Sequence, residues 1–482
     1  MNWFQFLGLT LPWLIVLGAS LTVLFLGTLM KRGAHAVSMA ISLLSLVAAL
    51  FLSWQHWVAD VTVSMGMMSF GRMTFLGWMV IAIASIFTVL LSHDYLARRK
   101  LGHPEYYSLI LLSTVGMASL IAGSHLMLIF LGIEVMSIAV YALAGFLRHR
   151  LSGNEAALKY FLTGAFASAF LLLGIAFIFG TTKTMDLTVL AEQLPTVLSG
   201  DMASWFLFGV AMVLIGFAFK IAAVPFHAWA PDAYDGAPTP ITQFMATAVK
   251  AAAFFALLRV ASPLVVAVGP GWAKTLWLLS AATMIIGNLA ALMQDNLKRM
   301  LAYSSIAHAG YALVAFPTLS TQTPELVHGV IFYLIAYTFM TAGSFAIVAF
   351  AQGQGESADV SHVAGLAKRH PWMAASFTIF LLSLTGFPPT LGFFGKYFLF
   401  SGAIKNGSIG LVVLALLSSA VSAYYYLRPI VVMYFHESRE GVLERTSPAT
   451  SLVAVVTIAF LAILYFGIFP SDLLAIVQRS GM

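Results

Sequence analysis

The chain has 482 residues, of which 61% are hydrophobic and only 9% charged, against roughly 25% charged in an ordinary soluble domain. That is too little charge to cover a water-facing surface, and with a mean hydropathy of +0.95 a soluble globule is excluded. The chain contains no cysteine, which rules out disulfides, thiolate zinc sites and cysteine-ligated iron–sulfur clusters.

From the first residue onward, apolar runs of ~20 recur, the length of a membrane-spanning helix. They do not alternate as the ~10-residue strands of a membrane barrel do. The opening stretch from Met1 to Phe6 has no basic residue, so no cleaved signal peptide is expected. An all-α polytopic membrane protein of about fourteen transmembrane helices is predicted. The spans fall near 8–29, 34–53, 74–95, 106–122, 125–147, 158–182, 204–224, 240–260, 273–293, 299–318, 326–351, 372–399, 407–435 and 449–469. Alternate loops then hold thirteen basic residues on one side, among them Lys31, Arg32, Arg98, Arg99, Lys100, Arg148, Arg150, Lys298, Arg299, Arg439 and Arg445. The other side holds six, among them Arg72, Lys183, Arg259 and Lys405. By the positive-inside rule the first set is cytoplasmic and both termini are periplasmic. The net charge of +6 reads as topology information, not as a nucleic-acid surface.

Two spans are broken. The seventh carries Lys220, Pro225, His227, Trp229 and Pro231, and the twelfth carries Gly386, Pro388, Pro389, Gly392 and Lys396. Proline removes a backbone donor, and inside a membrane the freed carbonyls must face protein or water. Interrupted helices at matching positions in two halves mark an inverted repeat. The expected organisation is three N-terminal helices (1–105), a first five-helix repeat (106–260, helices 4–8), a second repeat (273–435, helices 9–13) and a C-terminal helix (449–482). Five is an odd number, so the second copy sits upside down relative to the first.

Four ionisable residues lie well inside spans: Glu134, Lys220, Lys250 and Lys396. Each costs about 2.5–3.5 kcal/mol near the bilayer centre. Snorkelling to the interface accounts for Lys159 and Arg428, which lie near span ends, but fits Lys250 badly, since about ten residues flank it on each side within its span. A lysine takes part in proton transfer near neutral pH only if its pKa falls from ~10.4; burial lowers it and a neighbouring carboxylate raises it. A Glu–Lys pair is therefore a two-state switch. His227, beside the Pro225 break, is a candidate relay group; His308, in the tenth span, and His328, in the eleventh, are weaker candidates, since a lone membrane histidine is as often a hydrogen-bonded packing residue.

These residues coincide with a family pattern. The runs Glu155–Phe170, Gly216–Pro240 and Lys298–Tyr311 resemble the antiporter-like membrane subunits of respiratory complex I. Ala230–Pro240 and Tyr424–Pro429 look like the N-type subunit of bacterial NADH–quinone oxidoreductase, not its larger relatives. The resemblance implies a proton-translocating membrane subunit whose path runs through Glu134, Lys220, Lys250 and Lys396. It places NADH, flavin, iron–sulfur clusters and quinone in partner subunits, with no cofactor in this chain, and implies a bacterial inner-membrane location among other membrane subunits of the complex. Some relatives have glutamate at the place of Lys396. A subunit of a cation/proton antiporter or of a membrane-bound hydrogenase has the same fold and lysines, and is the competing reading; a scaffold whose charges only pair helices is the third.

Overall fold

With no water in the bilayer core, each span must close its own backbone hydrogen bonds and turn its polar side chains toward other helices. The computed structural model describes residues 3–30, 33–268, 270–319, 323–353, 358–437 and 447–480. Lys31, Arg32, Arg439 and Arg445, counted above for topology, lie outside the described residues.

Spans one to seven are Trp3–Leu29, Ala34–Val58, Arg72–Arg98, Pro104–Ala122, Leu126–Ala144, Leu151–Thr182 and Ala203–Lys220. The eighth comprises Thr239–Phe244, a π turn at Met245–Val249, and Lys250–Val268. The ninth to eleventh are Pro270–Leu292, Leu297–Leu313 and Pro324–Gln352. The twelfth is split into Pro371–Thr385 and Leu391–Lys405, followed by Ile409–Phe435 and Thr450–Ile468. Among the described residues, twelve helices are singly long and apolar enough to cross a membrane. The two remaining spans are the tenth, of 17 residues and buried almost throughout, and the divided twelfth. The protein is thus a helical polytopic membrane protein with breaks in the seventh and twelfth spans. The sixth span starts at Leu151, seven residues earlier than the apolar run suggests, because its polar first turns continue the helix beyond the apolar stretch.

The third, eighth and eleventh spans form the middle of the bundle. Their apolar windows are 83%, 94% and 100% buried, whereas those of the first, second, sixth and fourteenth are 33% buried. Small surface elements complete the chain: a hairpin of Val63–Met65 with Met68–Phe70, and short amphipathic helices at Leu187–Ser199 and Pro470–Gln478.

The inverted repeat is visible in a backbone device used twice. His125, which caps the fifth span, pairs with Asp186, and Asn296, which caps the tenth, pairs with Asp359. In the first copy Leu126 N donates to Met185 O and Leu187 N to Ser124 O, both at 2.9 Å. In the second, Leu297 N donates to Ala358 O at 2.7 Å and Val360 N to Asp295 O at 2.9 Å. Each copy thereby ties the start of its second helix to the segment after its third.

At one end of the bundle an ion network joins the two copies. Asp232, just past the seventh-span break, accepts from Lys159 and from Arg299, each at 2.8 Å. Burial pushes the Asp232 carboxyl up, but the hydrogen bonds from Lys159 and Arg299 outweigh it and hold the group below the usual carboxylate value. Its contribution is therefore present above pH ~4 and lost only as the pH falls further. Arg428 pairs with Asp295 in the same region. Lys159 and Arg428, the two residues attributed to snorkelling, thus end in ion pairs.

The twelfth-span break depends on a close approach. A Cβ on Gly392 would meet Ser383 O at 1.9 Å, so only glycine lets the second half-helix lie against the first. Gly392→Ala is expected to cost on the order of 1–3 kcal/mol by overpacking, read as a lower thermal-unfolding midpoint. Gly410→Ala, where nothing lies within 4 Å, serves as the neutral control.

Candidate functional site

Lys220 ends the first half of the seventh span and is buried, 3% exposed. Its ammonium donates to Ser137 Oγ at 2.7 Å and to Tyr141 OH at 3.1 Å, both on the fifth span. Ser137 in turn donates to Ile133 O, which leaves its lone pairs free for the lysine. The rings of Tyr141, Tyr160 and Phe219 also face the ammonium. Gly164 on the sixth span keeps this cradle open, since a Cβ there would fall 1.9 Å from the Tyr141 hydroxyl oxygen.

Glu134 lies one turn before Ser137 on the same helix. It is half-buried, its Oε1 has no hydrogen-bond partner, and among the described residues it forms no ion pair with Lys220. The expected Glu–Lys contact is therefore open here, and Lys220 rests on neutral oxygens instead. His227 sits in the turn after Pro225, with a buried Nδ1 that lacks a partner; the hydrogen bonds of Lys220 go elsewhere. Trp229 stabilises this break by donating to Phe219 O at 3.1 Å.

Lys250 follows the π turn directly. A π turn adds a residue to one coil and so rotates the downstream face, and such turns are frequent at functional sites. The lysine is 3% exposed and donates to both the carbonyl (2.6 Å) and the hydroxyl of Ser305 on the tenth span. The turn before it is supported by a polar chain: Thr88 donates to Gln243 Oε1 at 2.7 Å, and Gln243 Nε2 donates to Thr247 Oγ1 at 3.0 Å.

Lys396 explains the twelfth-span break. In an unbroken helix Leu384 O and Thr385 O would accept from residues 388 and 389, but both are prolines without an N–H. The Lys396 ammonium takes that place, donating to Leu384 O at 3.1 Å and Thr385 O at 2.8 Å, and to Ser419 Oγ at 2.7 Å.

Between Lys250 and Lys396 stands the tenth span, which presents Ser304, Ser305, His308 and Tyr311. His308 is bound at both ring nitrogens, by Tyr333 OH at 2.5 Å and Tyr426 OH at 3.1 Å. Tyr426 also meets Ser304. The Tyr311 ring lies 4.8 Å from the Lys396 ammonium, and its hydroxyl accepts from Asn288, whose Oδ1 accepts from Tyr425. Lys250, His308 and Lys396 thus belong to one polar core. No hydrogen bond among the described residues joins this core to the Lys220 cradle. The tyrosines, Ser137, Ser305, Asn288 and Ser419 are polar members that charge counting passes over; the Tyr424–Tyr426 run was the available signal. Among the described residues no cluster of three or more His, Asp or Glu is placed to hold a metal ion.

A broken-helix repeat with buried lysines defines an antiporter-like membrane subunit, and comparison with known proteins makes the class specific. The model for the NADH:quinone oxidoreductase/Mrp antiporter transmembrane family matches residues 123–422. NADH-quinone oxidoreductase subunit N of Trichlorobacter lovleyi is 42% identical over 98% of this chain and 96% of its own length. A chain of respiratory complex I from Thermus thermophilus superposes with a TM-score of 0.82 at 34% identity, covering 98% of this chain and all of that one. A chain of the Mrp complex from Dietzia sp. DQ12-45-1b shares the fold, with a TM-score of 0.84 at 21% identity, covering 100% and 97% of the two chains. The chain belongs to the NADH:quinone oxidoreductase/Mrp antiporter membrane family, among its subunit N relatives.

The double hydrogen bonding of His308 makes a stability prediction. His308→Phe keeps the aromatic packing but leaves the buried Tyr333 hydroxyl without its partner, at about 1–3 kcal/mol, while Tyr426 keeps its bond to Ser304. The expected result is a lower unfolding midpoint of the assembled complex, with His308→Gln recovering part of the loss.

Proposed function

We propose that this chain is a proton-translocating membrane subunit of an NADH–quinone oxidoreductase. Electron transfer from NADH to quinone runs in partner subunits that carry the flavin and iron–sulfur clusters, and this chain moves protons in response. Its setting is the bacterial inner membrane beside the complex's other membrane subunits, with both termini periplasmic and the repeats bounded near 106–260 and 273–435. One observation carries the reading: among the described residues Lys220, Lys250 and Lys396 lie well inside the bundle with only neutral oxygens as hydrogen-bond acceptors, whereas Lys298, also buried on carbonyls, stands at the very start of the tenth span. An ammonium so held can give up its proton without leaving an unpaired carboxylate behind.

In this reading Lys220 is the switch. Paired with Glu134 it is held charged; docked on Ser137 and Tyr141 it is free to hand its proton inward. Lys250, His308 and Lys396 continue the path laterally, and His308 passes a proton by accepting at one ring nitrogen and donating at the other. Helix axes lie 8–10 Å apart while a hydrogen bond spans ~3 Å, so water completes the steps between helices. The near full-length similarity to subunit N relatives favours this assembly over a cation/proton antiporter or hydrogenase, and three buried lysines without carboxylate partners argue against a scaffold.

The test uses the complex purified from membranes and reconstituted in vesicles. Lys220→Ala is expected to lower coupled quinone reduction and proton pumping at least about tenfold while assembly stays normal, and Lys220→Arg to impair both, because arginine is effectively never deprotonated. Normal pumping in either assembled variant would overturn the switch. Glu134→Gln is expected to reduce activity less than loss of Lys220 does. A double-mutant cycle between the two positions is expected to give a coupling of about 0.5–3 kcal/mol; strict additivity would sink the pairing. Tyr141→Phe and Ser137→Ala remove the neutral resting place and are expected to fall between Glu134→Gln and Lys220→Ala, with Ser137→Thr near normal.

A further inference from the structure

The eighth span changes character at Lys250. On the side that leads into it, Thr239, Thr242, Gln243 and Thr247 are all buried and hydrogen-bonded. Thr239 donates to Gln352 Oε1 at 2.6 Å, Thr242 to Tyr234 O at 2.7 Å, and Gln243 to Thr247 at 3.0 Å. On the side that leads away, Ala251–Leu258 contain no polar side chain, and none of them is more than 4% exposed. Then comes Arg259, a cation inside the helix Lys250–Val268. It lies nine residues beyond Lys250, about 13.5 Å along the axis at 1.5 Å per residue.

Read from the sequence as a loop cation, Arg259 is in fact passed by its helix, and its guanidinium turns inward. Its Nη2 donates at 2.8 Å to Oγ1 of Thr74 on the third span, a fully buried residue that donates in turn to Ser69 O. The Arg259 Nε is buried and has no hydrogen-bond partner. Among the described residues Arg259 forms no ion pair. Asp60, before the third span, is taken by Arg72, and Glu192, on the short helix packed against Lys250–Val268, is exposed. A snorkelling arginine would reach for the surface. This one is aimed at a buried threonine and keeps its charge there, since arginine is effectively never deprotonated.

A fixed cation beside a narrow path repels protons and other cations. We propose that Arg259 seals the direct route along the eighth span, so that a proton on Lys250 leaves only sideways, through His308 and Lys396. The inference rests on the lysine path proposed above and supplies what that path needs, because a proton slipping straight along the eighth span would bypass Lys396. Ala251–Leu258 keep water away from this route, and Arg259 repels any proton that approaches Lys250 from the far end.

The test uses vesicles reconstituted with the whole complex. Passive proton leak is read without NADH, from the collapse of an imposed pH gradient, and protons pumped per electron are read with NADH. Arg259→Gln keeps a donor for Thr74 but carries no charge, and it removes the burial of an unpaired cation, so assembly is expected to be normal. The leak through the complex is expected to rise at least about tenfold, because a unit charge a few ångströms away changes the passage of a proton by more than that at the effective dielectric of a protein. Protons per electron are expected to fall. Arg259→Lys, which keeps a cation, is expected to leak less than Arg259→Gln, and Thr74→Val, which disturbs the same contact but leaves the charge, to stay near the wild type. Should Arg259→Gln not assemble, Arg259→Met, neutral and similar in length, carries the same expectation. The seal is overturned if the neutral variants hold the gradient as the wild type does, or if Thr74→Val or Arg259→Lys leaks as fast as Arg259→Gln. Those outcomes leave the lysine path standing, since its own failure shows as normal pumping in Lys220→Ala.

Discussion

Two consecutive prolines have no N–H to give, so the carbonyls before them need side-chain donors, here Lys396 and the Ser419 hydroxyl. Leu384 O and Thr385 O are therefore left without backbone donors. Lys396 has the opposite difficulty, a charged donor that has to be solvated inside the bundle. Each offsets the cost of the other: the break supplies oxygens for the ammonium, and the ammonium closes the break. The close fit at Gly392 follows from this, because the half-helices must lie near enough for Lys396 to reach back across the gap. The same principle governs the other two lysines. Lys250 finds the carbonyl and hydroxyl of Ser305, and Lys220 finds Ser137 and Tyr141.

The two copies of the repeat share this device without repeating it. In the seventh span the lysine precedes the prolines and looks across to the fifth span, toward the turn that follows Glu134. In the twelfth it comes after them and binds the break itself. The shared backbone clamp, His125 with Asp186 and Asn296 with Asp359, keeps the architecture equal while the chemistry diverges. One lysine thus has a carboxylate one helical turn away from its resting place, and the other is held by carbonyls that do not titrate.

Span ten is the physical link between Lys250 and Lys396. It is too short and too polar to stand alone in lipid, and its burial against the ninth span, with the eleventh and thirteenth beside it, lets it present Ser305 to Lys250 and Tyr311 to Lys396. Tyrosine suits this position because its hydroxyl both donates and accepts while its ring packs like any apolar side chain. The result is a polar core that does not loosen the bundle.

By itself the sequence determined the solvent, the helices and the breaks. Apolar runs of membrane length, proline clusters that break two of them, and lysines inside spans are all local facts, and in a bilayer local facts decide because each helix must satisfy its own backbone. The residues Glu134, Lys220, Lys250, Lys396 and His308 were legible for the same reason: a charge or a histidine in hydrocarbon stands out. His227 was also legible, yet no hydrogen bond of Lys220 goes to it. Only the tertiary structure decided the partners. Ser137 and Tyr141 under Lys220, Ser305 under Lys250, and the tyrosines around His308 are ordinary membrane-helix residues until the packing of distant spans turns them inward. Which oxygen receives a buried ammonium depends on helix rotation and sub-ångström clearances such as those at Gly164 and Gly392, set by contacts between segments tens to hundreds of residues apart, and no local pattern encodes them.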